Sequence, residues 1–172
     1  TLTPSSASTG SRTITASAVT GINGGSGFLS TDVGRFIYFN AGYGKITAVG
    51  STTSITVDVT TAFENANAIT AWQLGSFSNT TGFPACVTFF EQRLVFAGTT
   101  NQPQTVFFSK SGDYENMDAN IGGTVADSDA IIYTIASNQV NAIRFMTATR
   151  TLVIGTAGGE FSVSGGGTDS AI

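Results

Sequence analysis

Five carboxylates crowd one stretch of this chain, Asp113, Glu115, Asp118, Asp127 and Asp129, with no Lys or Arg between the first and the last. Two carboxylates flanking a glycosidic bond are the machinery of glycan hydrolysis, and clustered carboxylates also supply the oxygens that Ca²⁺ takes. The Asp113-x-Glu115-x-x-Asp118 spacing lacks a regular calcium-loop signature, and nearness in sequence does not set the separation that hydrolysis requires. The chain has no His, which removes the commonest general base and metal ligand along with Ser-His and Cys-His nucleophile pairs. Gly-x-Ser-x-Gly, phosphate-cradling Gly-rich loops before a helix and Cys-x-x-Cys pairs are missing too. These acids therefore read as an acidic loop facing an interface or a lumen, and no enzyme, cofactor or metal is expected. The other chemistry in view is a sugar platform built on Trp72, Tyr43 or Tyr114, which requires their rings to be exposed.

The charge balance narrows the partners. Charged residues make up 10% of the chain and the net charge is -4, against about 25% charged residues in an ordinary soluble domain. A surface this poor in charge fits either a face covered by other subunits or a Ser/Thr-coated extracellular or viral β protein. Residues 1–82 balance Asp32, Asp58 and Glu64 against Arg12, Arg35 and Lys45, so the net charge belongs to the second half, where Arg93, Lys110, Arg144 and Arg150 face eight acids. No basic stripe exists to grip nucleic-acid phosphate. Cys86 is the single cysteine, which excludes an intramolecular disulfide; its apolar strand context makes it a small buried hydrophobe. No apolar run approaches the ~20 residues that span a membrane. No signal peptide is visible, although the missing initial Met leaves a processed N-terminus open.

The elements that must position these residues are strands. Val, Ile, Thr and Phe suit pleated surfaces, while Gly (21 residues) and Ser serve turns. Residues 1–11 are polar without a period and read as a linker or arm. Strands are expected from Arg12 to Ala18, from Arg35 to Phe39, Tyr43 to Val49, Ser54 to Val59 and Ile69 to Leu74. Ahead of the second lies a single helical turn, capped by Ser30 or Thr31 and closed by Gly34. Five short strands over residues 12–78 suggest a small SH3-like or OB-like barrel. After a polar hinge at 78–82, residues 79–172 read as a second β domain. Val87–Phe89 and Leu94–Phe96 flank a tight Glu91-Gln92 corner, Thr105–Ser109 follows as a third strand, and Ala130–Ile135 alternates as another. A turn over 138–141 leads to runs at 142–146, 151–156 and 159–164, which have the cadence of a propeller blade. Gly98-Thr99 and Gly155-Thr156 fall after comparable middle strands, so part of a β-propeller is the expected architecture. The Gly-rich run 165–170 reads as a link to more chain.

Gly82-Phe83-Pro84, the aromatic pair Phe89-Phe90, Gln92-Arg93-Leu94-Val95-Phe96-Ala97-Gly98-Thr99, the Pro103-Gln104 spacer and Phe108-Ser109-Lys110-Ser111-Gly112-Asp113-Tyr114 follow one another in an order that resembles the core signature of phage tail nozzle proteins, the tail tubular protein B family. Phe28 to Arg35, with Asp32, Gly34 and Arg35, Gly44 to Thr47 and Trp72 to Gly75 are similar to the small barrel segment ahead of that signature. Leu152 to Thr156, with Gly155 and Thr156, and Gly158 to Phe161 are similar to a later segment. The resemblance implies a virion protein assembled in the host cytoplasm. It would sit in a homo-oligomeric ring, six-fold in the family, against a tail adaptor and other tail proteins, and DNA would pass through without sequence-specific binding. A carbohydrate-binding or host-attachment module of a tail is the alternative.

Overall fold

A computed structural model describes residues 1–120, 123–136 and 141–164. These are nearly all β: thirteen strands, with only the 3₁₀ turns Asn23–Gly25 and Ser30–Asp32 as helical elements among the described residues. No helix among them is long and apolar enough to cross a membrane. The chain divides into two compact units, one built on Thr1–Thr81 and the other on Gly82–Asn120 and the described residues from Thr124 onward.

The first unit is one antiparallel sheet of β1 (Leu2–Pro4), β2 (Gly10–Ala16), β3 (Phe36–Phe39), β4 (Gly42–Ser51), β5 (Ser54–Thr61) and β6 (Trp72–Leu74), in the order β1-β2-β5-β4-β3-β6. Leu2 and Ile69 exchange main-chain hydrogen bonds of 2.8 Å in both directions, so the sheet curls round until its first strand meets the residues just ahead of its last. Strand alternation sends Ile14, Ile37, Ile46, Ile55 and Val57 to the inside, where Phe39 and Phe63 stack with centroids 4.2 Å apart. Burying each such side chain contributes about 1.5–3 kcal/mol. The β3–β4 hairpin turns on Asn40 and Ala41, both left-handed (φ 51° and 60°), the type I′ geometry that matches strand twist.

Residues 1–11 are not the expected linker. Leu2 is fully buried, and β1 pairs with β2 from Leu2↔Ala16 to Pro4↔Ile14. β1 is three residues long, too short for alternation to register against a Ser/Thr background. The hinge expected at 78–82 is likewise fastened to this unit as far as Thr81, because the Thr80 hydroxyl donates to Asp32 (3.0 Å) and the Thr81 hydroxyl to the Ser76 carbonyl (2.7 Å).

The second unit holds two sheets. β7 (Cys86–Phe90), β8 (Arg93–Ala97), β9 (Thr105–Phe108) and β10 (Ile131–Thr134) run in the order β10-β9-β8-β7, while β11 (Ile143–Ala148), β12 (Leu152–Thr156) and β13 (Gly159–Val163) form the other sheet. The three strands expected through Ser109 thus gain a fourth, β10, paired from Ile131↔Phe108 to Thr134↔Thr105. Cys86, Val95, Val106 and Phe108 from one sheet share a core with Ile143, Leu152 and Ile154 from the other. Both sheets run their strands antiparallel in consecutive order.

The Gly-Thr repeat is not a structural one. Gly98 lies beyond the end of β8 at φ +73°, where a Cβ would sit 2.9 Å from the Ile143 carbonyl oxygen. Gly155 lies inside β12 opposite Phe145, whose ring covers the place its Cβ would take. One glycine permits a turn and a close approach, and the other makes room for an aromatic ring. The turn expected over 138–141 falls largely outside the described residues, and the run 165–170 falls wholly outside them.

Candidate functional site

The Glu91-Gln92 corner is a two-residue hairpin with φ of 46° and 59°, and it delivers Arg93 to the core side of β8. Arg93 is buried. Its Nη1 donates to the Ser109 and Asp129 carbonyls at 2.7 Å each, and its Nη2 donates to the Asp127 carbonyl. Burial lowers the guanidinium pKa, while the charges of Asp129 and Glu91 hold it up. The planar fork of Arg suits three main-chain acceptors in different directions. Arg93 therefore acts as a clamp that holds residues 127–129 against the ends of β8 and β9. Gln92 completes the corner by accepting the Gly112 N–H at 2.8 Å.

The five acids separate into two groups. Asp129 is buried, takes the Ala126 N–H at 2.8 Å and pairs with Lys110 Nζ at 3.0 Å. The Ala126 hydrogen bond, helped by Lys110 and opposed by burial, holds its carboxyl below the usual aspartate range. Asp118 is half-buried, accepts the Asn120 N–H at 2.9 Å and stands 3.8 Å from the same Lys110 nitrogen. Lys110 thus occupies the position between these carboxylates that a cation would take. Asp113, Glu115 and Asp127 are exposed. Among the described residues no three His, Cys, Asp or Glu side chains gather in a way that could hold a metal ion. The expected lumen or interface acids thus include two, Asp118 and Asp129, that the fold uses internally.

A second buried ion pair organises the first unit. Asp32 is fully buried and Arg35 is 7% exposed, with Nη1 and Oδ1 3.1 Å apart. The remaining Asp32 partners are the Leu29 N–H (2.8 Å), the Asn23 amide (2.6 Å) and the Thr80 hydroxyl (3.0 Å). Arg35 Nη1 also donates to Asn23 Oδ1 at 2.8 Å, and its Nε donates to the Gly75 carbonyl. The 3₁₀ turn is capped by Asp32 acting back on Leu29, not by the side chain of Ser30 or Thr31, and Gly34 leaves it at φ +93°.

The aromatic candidates diverge. Tyr43 is buried, 5.8 Å from the Tyr38 ring, so it offers no platform. Trp72 is half-buried and packs against the core of the first unit. Tyr114 (44% exposed) meets Phe89 (61% exposed) edge-on, with centroids 5.3 Å apart. Phe83 and Val87 are also exposed, and Pro84 and Gly82 lie beside them in sequence, both half-buried. Thr156 closes the β12–β13 turn through its hydroxyl, which donates to the Gly159 carbonyl at 2.7 Å. Sequence reasoning missed Lys110 and Asn23, whose roles depend on partners brought together by the fold. Compared with known protein families and with curated proteins, the chain matches none.

Proposed function

We propose that this chain is a structural subunit of a phage tail, part of a homo-oligomeric nozzle ring through which DNA leaves the virion. The observation that carries this reading is the surface of the second unit. Two of its four bases, Arg93 and Lys110, are spent on internal partners, so the exposed charges of this unit are two bases, Arg144 and Arg150, against five acids, Glu91, Asp113, Glu115, Asp127 and Glu160. Such a surface repels phosphate, as a conduit for DNA must. The exposed Val87, Phe89, Phe83 and Tyr114 belong to the same unit and suit burial against neighbouring subunits. The motif order from Gly82 to Tyr114 supports the same reading.

Electron microscopy of particles carrying the protein tests it. A symmetric ring around the tail channel is the expected result, and density for this chain at a fibre tip or on the capsid exterior overturns it. The Phe89–Tyr114 pair favours one alternative, a host-attachment module that stacks sugars on exposed aromatics. Glycan binding by the whole chain, lost in Tyr114→Ala, would support that alternative.

A further inference from the structure

The outer edge of β6 carries a strand position that no described residue fills. The Gly75 N–H donates to the Phe36 carbonyl at 2.7 Å, and the β3–β6 register makes Tyr38 and Gln73 the next hydrogen-bonded pair. Antiparallel partners alternate between bonded and non-bonded pairs, so the main-chain groups of Trp72 and Leu74 point away from β3. β6 ends the sheet order, and neither residue has another main-chain partner among the described residues. A pocket of about 570 Å³ lies beside this edge, lined by Trp72, Gln73, Leu74, Arg35, Asn23 and Thr70 among others. That volume falls in the ~300–1,000 Å³ range of ligand sites.

Arg35 adds a donor to the pocket. Its Nε and Nη1 are engaged, but its Nη2 has no acceptor among the described residues. Among the described residues no buried side-chain nitrogen or oxygen lacks a partner, so this Nη2 is not fully buried, and Arg35 lines the pocket. No acid lines the pocket, and Asp32 balances the Arg35 charge. The complementary ligand is an uncharged row of main-chain groups, because Trp72 and Leu74 stand two residues apart, the repeat of a strand.

We propose that this pocket takes an extended, uncharged segment of another polypeptide, added as a strand to β6, with one of its carbonyls accepting from Arg35 Nη2. This does not depend on the ring reading. The probe is a displayed library of peptides of about eight residues, a typical strand length, selected on the full chain. Binders with no required charge are expected. At about ten times its Kd, such a peptide slows amide exchange of Trp72 and Leu74 about tenfold. N-methylation of the alternate set of peptide residues whose N–H groups face β6 abolishes binding, because it removes those donors and leaves the side chains intact. Thr70→Trp fills the pocket from an exposed position and blocks the same peptide. The N-methylation comparison uses the unaltered protein, so it stands even if that variant fails to fold. Failure to select any binder, binding that survives N-methylation in both registers, or protection confined to a different edge overturns the proposal, as does selective occupation of the pocket by free sugars.

Discussion

At the residue scale, two cations decide the second unit. Arg93 replaces water for three main-chain carbonyls, and Lys would reach fewer of them. Arg93→Lys is expected to lower stability by about 2–3 kcal/mol, measured by denaturant unfolding; an unchanged midpoint would show that the clamp is dispensable. Asp129 provides a pH signature. Its folded pKa lies below the ordinary range, so its stabilisation is complete above that range and is lost as pH falls through the folded value. Asp129→Asn should cost about 2 kcal/mol at neutral pH and flatten the acid limb of the stability curve below about pH 4. A variant that keeps the full acid dependence would assign it to other carboxylates.

At the element scale, the hairpins carry the clearest sequence–structure disagreement. Asn40-Ala41 and Glu91-Gln92 both adopt left-handed turns, although Ala, Glu and Gln lack the freedom that favours this region in Gly or Asn. Ala41→Gly is expected to stabilise the protein by about 0.5–1 kcal/mol, seen as a higher melting temperature; destabilisation would mean the turn is held by packing. The strands themselves were legible, since Val57 alternates with Thr56 and Asp58 in β5 and the run Leu94-Val95-Phe96 in β8 is made of strand-forming residues. The fourth strand of the first sheet of the second unit was legible as a strand but not as a partner of β9, because 22 residues separate Phe108 from Ile131 and alternation does not specify pairing.

At the scale of the whole molecule, the conduit reading makes a prediction about charge. Asp129 is unsuitable for testing it, since a Lys there would break a buried pair and unfold the loop. The exposed Asp113, Glu115 and Asp127 are suitable. Replacing all three by Lys should leave the melting temperature within about 1–2 °C, because surface substitutions change stability little, and should slow genome ejection. Unchanged ejection kinetics would remove these acids from any role at a lumen.

The sequence by itself determined the all-β class, the low and acid-biased charge, the tight Glu91-Gln92 corner and the helical turn ahead of β3, because each depends on residues within a few positions of one another. Only the tertiary structure decided which acids are bare and which are bound, that Leu2 to Pro4 close the first sheet, and that the outer edge of β6 has no main-chain partner among the described residues. Those outcomes rest on Lys110 meeting Asp129, Leu2 meeting Ile69 and β6 meeting β3. They are long-range pairings, and an acid or a three-residue strand looks the same in sequence whether its partner is present or not.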